Sequence, residues 1–282
     1  MPASPPRIVF TANLWTLEGH PTAKREWSLA RKVRAVAEAG FDAVTAPGSK
    51  ELAPLLRAQG LRFMGFFSSS NPREFRALLT AQRAAGAEVV NVQLGDDFTL
   101  PAQALHWTRE LMAEARRQKI YTAIEVHRDT ATETPEKTYA LADGYRAATG
   151  TLLPLTWDHS HLAVVKHLKP FLFSKVLLKR PRLIQVARLF HLRPFNGQHA
   201  QVPVMDSRNR LTPEFRLWLQ FAEELFRLWL AGPRPGGELW VCPEIGPFGI
   251  NGYNLSVMES SWAQAVICRR ELLKTWQRAK KE

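Results

Sequence analysis

Residues 120–158 read IYTAIEVHRDTATETPEKTYALADGYRAATGTLLPLTWD. The stretch begins with an apolar run, Ile120–Val126, and closes with a second, Leu152–Trp157. Between them Pro135–Ala148 has helical spacing, with Pro135 in the first turn, where a missing N–H is no loss. A short apolar run, a helix and a second short run make a βαβ unit, so both strands lie parallel in one sheet. Each run also carries an acid at its end, Glu125 and Asp158.

Outward from this unit the pattern repeats. Toward the N-terminus the strand candidates are Ile8–Leu14, Phe41–Thr45, Leu61–Phe67 and Glu88–Leu94. Helical patterns follow at Glu26–Ala39, at Glu51–Gln59 (stopped by Gly60), from Pro72 onward and at Pro101–Gln118. Toward the C-terminus come strand candidates Ile184–His191 and Leu239–Glu244, with helices at Thr212–Leu230 and Leu255–Ala279. Eight units of about 35 residues close a (β/α)₈ TIM barrel, an α/β fold in one domain spanning residues 1–282. A doubly wound open sheet is the structural alternative, but no G-x-G-x-x-G follows the first strand. Two connections, at about 159–183 and 192–211, are longer than one helix requires. Both follow barrel strands, on the face where barrel enzymes carry their sites.

The chain has 282 residues and a formal net charge of +12, with 45% hydrophobic and 23% charged residues, which excludes a mostly disordered polypeptide. No apolar run approaches the roughly 18 residues of a membrane span. The first six residues lack the pattern of a signal peptide. Cys242 and Cys268 are too few for a disulfide framework or a thiolate zinc site. These features lead us to expect a cytoplasmic protein with no membrane partner.

Four metal-ligand types stand at strand ends: Glu125, Asp158, His191 and Glu244, in steps of 33, 33 and 53 residues. The first two steps match one βα unit each, and the third is one unit plus the long loop. In a closed barrel such positions converge at the mouth. Three carboxylates and an imidazole suit one divalent cation, Mn²⁺ before Mg²⁺, Co²⁺ or Zn²⁺. Without a cation three crowded carboxylates would repel one another.

Glu125, then Asp158-His-Ser-His161 as a D-x-x-H, then His191 and Glu244 together resemble the xylose isomerase-like barrel superfamily. That superfamily contains sugar phosphate isomerases and epimerases and the endonuclease IV-type repair enzymes (AP endonuclease family 2). The resemblance covers nearly the whole chain in element order. It implies that Glu125, Asp158, His191 and Glu244 bind one metal. It also makes Glu125 and Glu244 the acid/base pair, and His161 a substrate contact. Two departures mark this chain. Ketose 3-epimerase-like members carry an Arg six residues after the metal His, where Gly197 stands here. The trinuclear nuclease set needs further histidines where this chain has Phe66, Phe67 and Gln93, and Asp206-Ser-Arg208 lacks the His of the later pair.

His127 shares a strand face with Glu125 by period two and is a substrate-binding candidate, as are Arg128 and Arg193 just past strand ends. Trp15 and Phe66 are candidate pocket walls, although core packing accounts for both equally well. His159, His199 and Asp206 read as bystanders. Gly246–Gly252 is a candidate phosphate loop without the P-loop lysine. No acid occurs between Asp158 and Asp206, while Lys166, Lys169, Lys175, Lys179, Arg180, Arg182, Arg188 and Arg193 do, so a positive field near the mouth is expected.

The favoured function is a divalent-metal-dependent isomerase or epimerase acting on a sugar, sugar phosphate or related hydroxy-carbonyl compound through an enediolate, with the two glutamates moving the proton. Its partner would be a small carbohydrate, neutral or anionic, rather than nucleic acid; self-association is left open. The alternatives are a metal-dependent phosphodiester hydrolase of the endonuclease IV type and a non-catalytic anion- or partner-binding barrel.

Overall fold

Each of the eight apolar runs becomes a strand, and each strand pairs in parallel with its neighbours in sequence, β8 closing on β1. The computed structural model describes residues 5–247 and 260–281. The strands are β1 (Arg7–Asn13), β2 (Ala43–Ala46), β3 (Arg62–Ser69), β4 (Val89–Leu94), β5 (Tyr121–Glu125), β6 (Leu155–Asp158), β7 (Leu189–His191) and β8 (Glu238–Cys242). Between the strands of the first half run α1 (Leu29–Glu38), α2 (Leu52–Gln59), α3 (Phe75–Ala84), α4 (Pro101–Arg117) and α5 (Pro135–Thr149). The second half carries short helices α6 (His159–Val165), α7 (Phe173–Leu177) and α8 (Pro181–Gln185), then long ones, α9 (Pro213–Leu230) and α10 (Ser261–Ala279).

Local chemistry sets the boundaries. Ser28 accepts the Arg31 N–H at 3.3 Å, so α1 starts at Leu29 rather than at Glu26. Pro154 has no N–H to donate, and β6 begins only at Leu155. Pro181 opens a helical turn, so Leu183 and Ile184 bury themselves in α8 and β7 shrinks to three residues. Thr134 and Thr212 cap α5 and α9, and Gly150 ends α5 in the left-handed region.

Apolar side chains are buried in two places. A large layer lies between the barrel and its helices, where Trp218, Phe226 and Trp229 of α9 are fully covered. Trp229 also donates its indole N–H to Ala187 O at 2.7 Å, tying α9 to the entry of β7. A smaller plug fills the lower barrel: Val9, Ala43, Met64, Val89, Ala123, Leu189, Trp240 and Cys242. Among the described residues no helix is long and apolar enough to cross a membrane.

The 192–211 connection is pinned rather than loose. Gln264 of α10 accepts the N–H groups of Val204 and Met205 at 2.7 and 2.9 Å. Gln201 accepts the Gly246 N–H at 2.6 Å. Gly197 lies against the Leu168 backbone so closely that a Cβ there would fall 1.9 Å from its carbonyl oxygen. Any side chain at Gly197 would require one of the two backbones to shift.

Candidate functional site

Alternation along each strand decides which side chains enter the barrel. One period above the apolar plug, polar residues begin: Thr11 and Thr45 share a hydrogen bond of 2.7 Å. At the mouth Glu125, Asp158, His191 and Glu244 meet. One ligand atom from each lies within 4.8 Å of the others, and all four residues are buried. The register explains the convergence. Asp158 is level with His191, and His191 with Cys242, two residues before Glu244.

The outward oxygens of the carboxylates are held by neutral donors. Asn91 and Gln93 donate to Glu125 Oε2 at 2.7 and 3.0 Å. Asn13 donates to Glu244 Oε1 at 3.1 Å, and the Ser160 N–H to Asp158 Oδ1 at 2.9 Å. The inner atoms are different. Glu125 Oε1, Asp158 Oδ2 and His191 Nδ1 are buried without an aligned hydrogen bond. Yet His191 Nδ1 stands 2.8 Å from Glu125 Oε1 and 3.5 Å from Glu244 Oε2. Ligand atoms of four residues gathered this closely stand as they would around a common point. The residues therefore fit one divalent cation bound through oxygen and imidazole nitrogen.

Arg193 completes the cluster. It is only 2% exposed, not a solvated loop residue. Its Nη2 pairs with Glu244 Oε2 and lies 3.3 Å from Asp158 Oδ2. Burial pushes the carboxyls of Glu125, Asp158 and Glu244 upward, but the cations beside them outweigh it and hold all three below the usual range. His191 acts for Glu125, His161 and Arg193 for Asp158, and Arg193 and His191 for Glu244. Burial lowers the His191 imidazole, and the carboxylates of Glu125 and Glu244 raise it well above its ordinary value.

His161 Nε2 is 3.3 Å from Asp158 Oδ2, and its ring lies 4.2 Å from that of His127. The His127 ring lines the cavity at the mouth, with Nδ1 held 2.5 Å from Arg128 O. Burial lowers its pKa. Arg128 is 41% exposed, pairs with Asp129 at 3.4 Å and does not line the cavity at the mouth. That cavity has a volume of about 430 Å³. It is lined by the polar residues His191, Arg193, Glu244, Gln93 and His127 and by the apolar residues Leu14, Trp15, Ala46, Pro47 and Phe66. Both candidate wall aromatics are therefore in place. The strand pattern also held a signal for Asn13, Asn91 and Thr45, which sequence reasoning passed over. Each lies an even number of positions from an inward-facing residue of its own strand.

Other candidates lie elsewhere. His159 packs between Trp157 and Phe221, 5.2 and 5.3 Å away, and burial pushes it down to about 4. His199 is exposed, and Asp206 ties its own turn by pairing with Arg210 at 2.8 Å. Of Gly246–Gly252, residues from Phe248 onward lie outside the described residues. The basic block is dispersed: Lys166 pairs with Glu136 of α5 at 2.5 Å, Arg180 with Asp143, and Arg188 lies over the Tyr121 ring, before β7.

No protein-family model and no curated protein matches the chain. Solved structures do. A xylose isomerase-like TIM barrel protein from Mycobacterium smegmatis, in complex with magnesium, is similar at a TM-score of 0.64, 17% identity and 98% coverage of both chains. D-allulose 3-epimerase from Methylomonas sp., in complex with D-allulose, gives 0.60 at 12% identity, again over 98% of each chain. The E. coli 3-keto-D-glucoside 4-epimerase gives 0.58 at 13% identity, over 95% of this chain and 99% of that one. The fold is thus the xylose isomerase-like TIM barrel expected from the sequence.

Proposed function

We propose that this chain is a divalent-metal-dependent isomerase or epimerase acting on a sugar, a sugar phosphate or a related hydroxy-carbonyl compound. The observation that carries the reading is the buried quartet of Glu125, Asp158, His191 and Glu244, whose ligand atoms gather within 4.8 Å and of which His191 and Glu244 line the mouth cavity. The solved structures similar in fold include two sugar epimerases, which supports the same class. Mn²⁺ is the preferred ion on the donor set, and a magnesium complex among the similar folds keeps Mg²⁺ close behind.

A bound divalent cation would draw charge from a substrate carbonyl and its neighbouring hydroxyl and so acidify the C–H between them. The chain's own residues do the rest. Glu125 comes from β5 and Glu244 from just past β8, either side of β7 and its His191 in the barrel order, so one can take the proton and the other return it. Asn91 and Gln93 fix the plane of Glu125, and Asn13 that of Glu244. His127 and Arg193 line the cavity and offer an imidazole and a guanidinium to substrate oxygens, with His161 packed behind His127 and beside Asp158, while Trp15 and Phe66 supply apolar lining. Among the described residues this is the one cluster of metal-ligand type, which favours single-metal chemistry over a trinuclear hydrolase.

The test is solvent isotope exchange. With Mn²⁺ present, ketoses and their phosphates incubated in D₂O should gain deuterium beside the carbonyl. Glu125→Gln and Glu244→Gln should each slow this by about 10²-fold or more. Glu244→Gln that turned over normally with metal bound would sink the two-glutamate mechanism.

A further inference from the structure

Asp158 and Glu244 each have one oxygen committed outward, to the Ser160 N–H and to Asn13. The inner oxygens, Asp158 Oδ2 and Glu244 Oε2, are the two that face the metal point, and both are the oxygens that Arg193 reaches. Arg193 comes from the position two residues after His191, so the strand period that aims His191 inward aims Arg193 inward as well. Its guanidinium is buried and also lines the cavity. A cation bound by all four residues would compete with the guanidinium for these two oxygens and repel its charge.

We propose that Arg193 is an internal counter-ion of the site, which a divalent cation displaces from Asp158 and Glu244 toward the cavity. The proposal rests on the metal-site reading above and adds an order of events to it. Without metal, Arg193 neutralises part of the charge of three crowded carboxylates and keeps the mouth folded. With metal, the same guanidinium turns to the cavity and meets a carboxylate or phosphate on the substrate, for which its planar fork is suited. Metal binding would then prepare the anion site, and an anionic substrate would tighten the metal in return.

The experiment is calorimetric titration of the full-length chain with Mn²⁺ alone at pH 8, on wild type, Arg193→Met and Arg193→Lys. Removing a charge-assisted contact with both ligand carboxylates should tighten Mn²⁺ binding by roughly ten- to hundredfold in Arg193→Met. Arg193→Lys, which keeps the charge and loses the fork, should fall between. In chelator, Arg193→Met should melt below wild type, and saturating Mn²⁺ should narrow the gap. Equal Mn²⁺ affinity in all three chains would overturn the counter-ion role and leave the metal-site reading standing. Failure of all three to bind would overturn both. If Arg193→Met does not fold, Arg193→Lys carries the comparison, and affinity equal to or weaker than wild type overturns the proposal.

Discussion

Asn91 and Gln93 illustrate how much of the site rests on neutral side chains. Both donate to the same oxygen of Glu125, so the carboxylate cannot rotate and its other oxygen stays aimed at the metal point. Loss of such an orienting partner typically weakens metal binding or activity by about 10- to 100-fold. Asn91→Leu should therefore lower Mn²⁺ affinity by that factor, measured by titration, while Gln93→Leu, whose contact is longer, should do less. His159 makes the opposite case. Its two ring nitrogens are buried without partners among the described residues. His159→Phe keeps the aromatic packing and removes the polar atoms, so urea denaturation should show stability unchanged or raised by about 1 kcal/mol. The four ligand types were legible in the sequence because each is a polar residue ending an apolar run. Arg193 was legible only in part. It looked like a loop arginine because β7 ends at His191, yet the inward period continues beyond the last paired residue. The amides were missed because Asn and Gln carry no signal of their own in a strand. Only the register with Glu125 gives Asn91 its meaning.

Among the elements, the 192–211 connection shows best how backbone packing limits chemistry. The sequence leads us to expect a long connection there, on the face where barrel enzymes carry their sites. Its pinning by Gln264 and Gln201 could not be read, because both contacts join residues at least 45 positions apart. Gly197 is the tightest point. With a Cβ 1.9 Å from Leu168 O, one of the two backbones must move. Gly197→Ala should destabilise the chain by about 2–3 kcal/mol in urea denaturation, the usual range for overpacking against groups that cannot yield. Unchanged stability would mean that the loop adapts freely. The helices were the easier part, since long amphipathic patterns with Thr or Ser caps leave little choice. The seventh strand was the hardest. An apolar run such as Leu183–Ile184 serves a helical turn as well as a strand, and Pro181 decides it only when its place as first helical residue is known.

For the whole molecule, closure of the barrel was readable from the count of units, but not what fastens its lower end. There Arg62 of β3 pairs with Glu88 before β4 at 2.6 Å and with Glu238 of β8 at 2.8 Å, and its guanidinium lies 4.4 Å from the Trp240 ring centre. Arg7 of β1 joins Glu238 at 3.0 Å. Arg62 and Glu238 together thus link β1, β3 and β8 and the entry to β4, at the end away from the metal point. The hydrogen bond from Arg62 holds the Glu238 carboxyl below its ordinary range, against the upward push of burial. A carboxyl depressed in the folded state binds fewer protons there than in the unfolded chain, so stability rises with pH across its titration. Its contribution is fully present above the unfolded value of about 4.3 and is lost as pH falls through the lower, folded value. Arg62→Met keeps much of the contact with Trp240 and removes the charge. At pH 7 it should lose about 1 kcal/mol, because Glu238 then keeps only the more exposed Arg7 as its cation partner. The gap between the two chains should narrow as pH falls through the folded value of Glu238, since a protonated carboxyl no longer needs the guanidinium. Net charge works in the same direction: the chain is already at +12, and each protonated acid adds to its self-repulsion. Urea denaturation of both chains between pH 3 and pH 8 reads the difference directly. A gap between them that stayed constant with pH would assign the role of Arg62 to packing on Trp240 rather than to its carboxylates.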